Sequence, residues 1–461
     1  MITVYANNEL AYTLDVFFTS LGIPFSIRID KNSEIPKIFL YDNIQLDIEY
    51  EKFKQIKMQL THSSENISIK DEHGRVISKK IQSTPLLDMT IKEVLEKIKE
   101  LAEQKSIPVI RKCMWPKNKP FAVCLTHDID HIKPTTRMYL AGIKNFLRKK
   151  KIRSALVWML NFLVQRNPWD LKRIVDIEKE RNVKSTFFFL IERKHKKDTT
   201  SRLEDIKNMI MFLISEGFDV QLHGSYTSFD NETQLMKEKT LLEKIKGEQV
   251  EGIRQHYLRF DPTKTFQIQD KLGFKFDSTY GFYNQVGFRA GTSLPFHPYD
   301  DTKEQKLKLT EIPLILMDVT VIEYLKLSPN EAWRNVKHLL DMTMDLGGLL
   351  TILWHNTFFD DATRDWRELY TKIIDFSIRH DAFIGTARQV YNWWSKREKA
   401  EIELIEASSD KIVWNVKGFE DFCVSVYLPE KWAIEGEKRM EKEIIIPVKG
   451  TTEIKLIKTG H

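Results

Sequence analysis

The sequence predicts an α/β protein, with a parallel α/β domain over residues 106–400 flanked by a smaller α/β domain (1–105) and a small all-β domain (401–461). Three observations carry this. From about residue 120 to residue 395, short apolar runs alternate with stretches of helical periodicity, the pattern of strand–helix–strand units. Several of those runs stop at His or Asp clusters, and in parallel α/β domains reactive residues collect where strands end. Beyond residue 401 the helical period gives way to short strands separated by turns. A length of 461 residues accommodates three domains at roughly 100–200 residues each.

Taken in order, residues 2–5 and 37–41 read as strands and residues 10–21 as a helix. Residues 90–104 space Ile91, Val94, Leu95, Ile98 and Leu101 along one helical face. His62 and His73 sit in polar, turn-rich sequence and are expected to be exposed. A basic, proline-marked stretch, 108–120, suits a domain entry. Buried strands are predicted at 121–125, 185–191, 218–222, 314–319 and 349–354, with helices at 170–180, 203–216, 232–244 and 331–345. The C-terminal strands are 402–406, 411–416, 423–428, 443–448 and 452–457. Together they suggest an antiparallel appendage.

Composition narrows the function. With 42% hydrophobic and 30% charged residues, the chain is neither disordered nor fibrous. Lys+Arg number 71 against 65 Asp+Glu, a net +6, well short of a nucleic-acid-binding footprint. Cys113, Cys124 and Cys423 are widely spaced, which suits a reducing compartment. Residues 1–10 lack the basic and apolar regions of a secretory signal. The longest apolar run, 155–164, is broken by Asn161 and is too short to span a bilayer. A cytoplasmic protein is therefore expected.

The chemistry concentrates at strand ends. Asp128 and Asp130 follow a buried strand, flanked by His127 and His131. Residues two apart on an extended chain face the same way, so both carboxylates can serve one site. Two adjacent carboxylates repel unless one binds a cation and the other stays a free base. That division suits metal-assisted hydrolysis; the plainer alternative is a solvated Asp-rich loop. His223 and His355 each close an apolar strand. Gly252-Ile-Arg254-Gln-His256 and Phe276-Asp277-Ser278 lie between them. A lone histidine of this kind is usually structural, but several beside an Asp-x-Asp point to a shared site.

In this order the motifs resemble those of the polysaccharide deacetylases, the NodB-like carbohydrate esterases of family 4, over roughly residues 118–395. The resemblance implies a deformed (β/α) barrel and a hydrolase that removes N-acetyl groups from a glycan or polysaccharide precursor, of the kind bacteria make. Thr126-His-Asp-Ile-Asp130 is similar to the family's Thr-Phe-Asp-Asp-Gly with one residue inserted. It implies Asp128 as base and Asp130 as metal ligand. His223-Gly-Ser-Tyr-Thr227 matches the His-Ser/Thr-x-x-His motif at its first position only. Arg254 corresponds to the arginine that holds the base, Asp277 to the aspartate that orients the catalytic histidine, and His355 to that histidine, the general acid. Glu311-Ile-Pro313 is similar to the family's acid-Ile-Pro strand. The implied cofactor is a divalent metal, Zn²⁺ first, with Co, Ni or Mn as alternatives.

Thr227 leaves the metal one ligand short. His256 is the first candidate to replace it, with a substrate-binding role also open, and His131 is the second. The basic run 144–153 followed by apolar 155–164 reads as a lid over the glycan groove or as a helix touching anionic lipid. Residues 287–299, with Arg289, suit a sugar contact or an ordered connection. The expected partner is an N-acetylated glycan, with no nucleic acid. Alternative functions are glycan binding without turnover, and cleavage of an O-acetyl ester or another amide on the same scaffold.

Overall fold

A computed structural model describes residues 1–30, 37–40, 44–46, 49–61, 70–75, 84–261, 263–437 and 441–459. His62 and Tyr41 lie outside them. Among the described residues, nine strands form one parallel sheet. Across it run Thr310–Glu311, Phe276–Asp277, Gly252–Gln255, Asp219–Gly224, Thr186–Phe189, Ala122–Ile129, Leu349–Leu353 and Leu316–Met317. Phe383–Gly385 also pairs with Ala122–Ile129.

The two edges of this sheet belong to one short stretch of chain. Thr310–Glu311 pairs with Phe276–Asp277, and Leu316–Met317 pairs with Leu349–Leu353. A segment of eight residues thus joins edge to edge, and the sheet curls into a deformed (β/α) barrel. Its strands are buried on both faces, which is why they read as continuous apolar runs rather than alternating ones. Phe187, Phe188 and Phe189 are fully buried, each worth roughly 1.5–3 kcal/mol over exposure.

Helices Lys172–Glu180, Leu203–Ser215, Glu232–Lys246, Pro329–Leu346, Arg364–Arg379 and Ala387–Lys399 surround the sheet. Pro329–Leu346 shows how local sequence sets its limits. Ser328 and Glu331 form a reciprocal capping box, Pro329 opens the helix, and Gly347 closes it in the left-handed region. Ala332, Val336, Leu339, Leu340 and Thr343 form its buried face, a helical stripe.

At the N-terminus, Phe25–Ile29, Ile2–Ala6, Lys37–Leu40 and Ile44–Leu46 form a four-stranded sheet in that order, with helices Asn8–Leu21, Tyr50–Leu60 and Leu86–Lys105. At the C-terminus, Glu401–Ala407, Lys411–Gly418, Gly450–Lys458 and Trp432–Ile434 form one antiparallel sheet. A second contains Glu443–Pro447, Cys423–Tyr427 and Val109–Lys112. The stretch that enters the barrel therefore supplies a strand to the C-terminal sheet. The buried guanidinium of Arg397 ties these parts together, donating to the carbonyls of Thr19, Ser20 and Cys113 at 2.9 Å each.

Candidate active site

Strand Ala122–Ile129 carries the first acid on the strand itself, not in a loop beyond it. The two-residue period of the strand divides its polar groups between faces. Thr126 and Asp128 face the barrel interior, where Arg254 Nη1 donates to both, at 2.7 and 3.0 Å. Arg254 Nε and Nη2 donate to the carbonyl and hydroxyl of Ser278, and its guanidinium lies 4.5 Å over Phe188. The opposite face holds His127. Its Nδ1 donates to the Trp354 carbonyl at 2.6 Å, and its Nε2 lies 2.9 Å from Glu178. His127 is thereby committed to the helix layer.

Asp130, His223 and His256 converge at the mouth of the barrel, their ligand atoms within 4.8 Å of one another. Carbonyl partners settle the tautomers. His223 Nδ1 donates to the Arg254 carbonyl at 2.9 Å, and His256 Nε2 donates to the Lys197 carbonyl at 3.0 Å. In the neutral rings, His223 Nε2 and His256 Nδ1 are then bare. They lie 3.1 Å apart, and each is 3.3 Å from Asp130 Oδ1. That oxygen is buried and receives no hydrogen bond. Three lone pairs aimed at one small space are unfavourable without a cation between them. The electrostatics show the same demand for positive charge, met by a proton when no metal is bound: burial opposes charge on both groups, yet the two histidines hold Asp130 well below the usual carboxylate range, and Asp130 pushes His256 up. The donor set fits a divalent metal, one carboxylate and two imidazoles being an established catalytic zinc set.

Local backbone explains how His256 arrives. Strand Gly252–Gln255 ends in a tight turn in which Tyr257 (φ 62°) and Leu258 (φ 52°) occupy the left-handed region. Such a conformation costs non-glycine residues about 1–3 kcal/mol. The hydroxyl of Thr227 donates to Gln234 at 3.1 Å. His131 stacks on Trp169, and its Nδ1 accepts from the Thr200 amide.

His355 stands on the other side of Asp130, its Nε2 3.9 Å from Asp130 Oδ2. The expectation that Asp277 orients it is corrected. His355 Nδ1 donates to Asp318 at 2.7 Å, and the His355 amide donates to the same carboxylate at 2.5 Å. Burial disfavours charge on His355, but Asp318, with Asp130 and Asp128, pushes it up to about 10. Asp277 accepts instead from Thr279 and Gln269 and is paired in register with Glu311. Burial and the neighbouring Asp277 raise Glu311 well above its usual range. The barrel closure accounts for the exchange of roles, since it seats Leu316–Met317 beside Leu349–Leu353 while Phe276–Asp277 lies across the sheet. Asp318 directly follows strand Leu316–Met317, but it falls inside the predicted strand 314–319, so the strand-end rule used for Asp128 did not single it out.

The site opens into a cavity of about 380 Å³ whose walls include residues from the N-terminal region. His73, expected to be exposed, is only 9% exposed. Its Nδ1 lies 2.9 Å from the Tyr226 hydroxyl, its ring tilts against Tyr257, and its carbonyl accepts from Arg259. Arg75 lies 3.7 Å over the Tyr283 ring and donates to the Tyr324 hydroxyl. Sequence reasoning missed this wall, and polar, turn-rich sequence carries no signal of it.

No family model matches the chain, and no curated protein does. Solved structures similar to it include a protein named as a polysaccharide deacetylase from Mycobacterium smegmatis, at 18% identity over 64% of this chain and 96% of that one, with a TM-score of 0.42. Another so named, from Pseudomonas aeruginosa, is 15% identical over 61% and 93%, with a TM-score of 0.44. The Puue allantoinase is 14% identical over 61% and 93%, with a TM-score of 0.44.

Proposed function

We propose that the protein is a metal-dependent hydrolase that removes N-acetyl groups from a glycan or glycan precursor. One observation carries the reading: Asp128 and His355 flank the Asp130–His223–His256 cluster within a single cavity. A divalent ion held by those three residues, Zn²⁺ for this donor set, would polarise the acyl carbonyl and acidify a water. Asp128 is the base. Its Oδ1 is held by Arg254 at 3.0 Å, while Oδ2 lies 3.6 Å from His223 Nε2 and so faces the cluster. His355 carries a proton on Nε2 towards the departing amine nitrogen, and Asp318 fixes its ring through Nδ1. One water is consumed, and the products are the free amine and acetate. Tyr257, Tyr324 and Phe358 with Arg75 and Lys197 offer the mixture of ring faces and polar groups that sugar recognition uses.

The test is acetate release from N-acetylated chitooligosaccharides and polysaccharide precursors by the zinc-loaded protein. Wild type is expected to release acetate and Asp128→Asn to lose at least about 100-fold of that rate. Equal rates for the two proteins would overturn the reading. Release from O-acetyl esters alone would make it an esterase.

A further inference from the structure

Helices Thr136–Arg148 and Ile152–Leu163 form a hairpin beside the site, and its surface is unlike the rest of the molecule. Residues 131–169 contain nine Lys and Arg and no Asp or Glu. That excess exceeds the whole chain's net charge of +6, so the remainder is net acidic. Lys144, Arg148, Lys149, Lys150, Lys151 and Arg153 are exposed, and among the described residues none of them forms an ion pair.

The same hairpin exposes apolar side chains. Leu140, Leu147, Ile152, Leu156, Met159, Leu160, Leu163 and Val164 are each 43–68% exposed. They make up eight of the twenty large exposed hydrophobic residues among the described residues. Ile152, Leu156, Met159, Leu160 and Leu163 follow helical spacing. They form an outward stripe, while Ala155, Trp158 and Asn161 face inward. Trp158 packs on Tyr139 and Trp169 and donates to Asp360 at 2.5 Å, so the outward stripe is a consequence of a well-anchored inner face.

We infer that this hairpin docks on a lipid bilayer surface rich in anionic headgroups, with the apolar stripe entering the headgroup–acyl boundary and the basic side chains facing lipid phosphates. Charge complementarity selects this partner. A stripe that met only protein would not need an unpaired run of cations beside it, whereas interfacial helices combine the two features. No helix of the described residues is long and apolar enough to cross a membrane, so the contact is peripheral. A cavity of about 580 Å³, lined by the turn of the hairpin with Lys149–Arg153, shares Glu323, Thr357 and Phe358 with the site cavity. Docking therefore sets the mouth of the site close to the bilayer. This inference stands whether or not the protein is a hydrolase.

Flotation of the full chain with vesicles of phosphatidylcholine containing 30% phosphatidylglycerol, against pure phosphatidylcholine, tests it. Binding is expected only to the anionic vesicles and is expected to fall at high salt. Replacing Lys149, Lys150 and Lys151 with Gln is expected to weaken partitioning about 100-fold, at roughly fivefold per cation near an anionic surface. Leu160→Asp with Leu163→Asp should abolish it, with unchanged melting temperature because both positions are exposed. Absence of binding to anionic vesicles, or equal binding by the Gln variant, would overturn the inference. So would a dimer in light scattering that dissociates in the Leu160→Asp, Leu163→Asp protein, since the stripe would then be covered by a second copy.

Discussion

Replacing His256 with Ala tests the geometry of the proposed metal centre. His256 supplies one of three converging donors, with Nδ1 3.3 Å from Asp130 Oδ1 and 3.1 Å from His223 Nε2. Four-ligand zinc sites release about 10–16 kcal/mol on binding, or about 3 kcal/mol per ligand. At 1.4 kcal/mol per tenfold, losing one ligand weakens binding by about 100-fold. Neither neighbour is poised to refill the position: His131 Nδ1 accepts from the Thr200 amide, and the Thr227 hydroxyl is turned to Gln234. Competition against a chromophoric zinc chelator, with circular dichroism to verify folding, reads the affinity without requiring turnover. His256→Ala is expected to lose about 100-fold, while His131→Ala and Thr227→Ala stay within about threefold of wild type. Wild-type affinity in His256→Ala, or an equal loss in His131→Ala, would refute the reasoning.

Three further predictions rest on buried polar groups. Asp318→Asn removes the carboxylate that holds His355 and is expected to lower kcat by about 10²–10⁴ with little change in KM, read from steady-state kinetics on an N-acetylated substrate. Asp88, buried and bonded to Ser293, is raised by burial to about 6 from 3.8. Because its folded pKa is the higher one, its contribution to stability is complete below pH 3.8 and is lost as pH rises through 6. Asp88→Asn should therefore gain about 3 kcal/mol relative to wild type between pH 4 and pH 7, seen as a growing difference in melting temperature. Arg397→Met strips two buried carbonyls, Ser20 and Cys113, and the half-buried carbonyl of Thr19 of their donor, at about 1–3 kcal/mol for each buried one. Limited proteolysis should then cut near residues 19–22 and 113 much faster than in wild type.

Much of the barrel was legible because its strands are buried on both faces and its helices carry clear caps and stripes. The predicted helix at residues 331–345 is Pro329–Leu346, and the predicted strand at 349–354 is Leu349–Leu353. The Asp-x-Asp spacing told which way Asp128 faces, because the two-residue period is a property of the extended chain itself. His256 was legible as a candidate, but the left-handed turn at Tyr257 that brings its Nδ1 to Asp130 has no glycine to announce it.

Local sequence thus determined where the apolar strands lie and the residue types that stand on or just beyond them: a carboxylate pair, three histidines and an arginine. Which of these meet was decided by tertiary structure. Asp277 follows Phe276 and Asp318 follows the apolar run 314–317, and only the closure of the sheet by residues 310–317 places Asp318, rather than Asp277, against His355. His73 and Arg75 reach the cavity from more than fifty residues ahead of Asp128, the next of its wall residues in the sequence. Periodicity and capping are set by neighbours a few positions apart, whereas a site wall built from distant segments is set by how the sheet curls and what packs over its mouth.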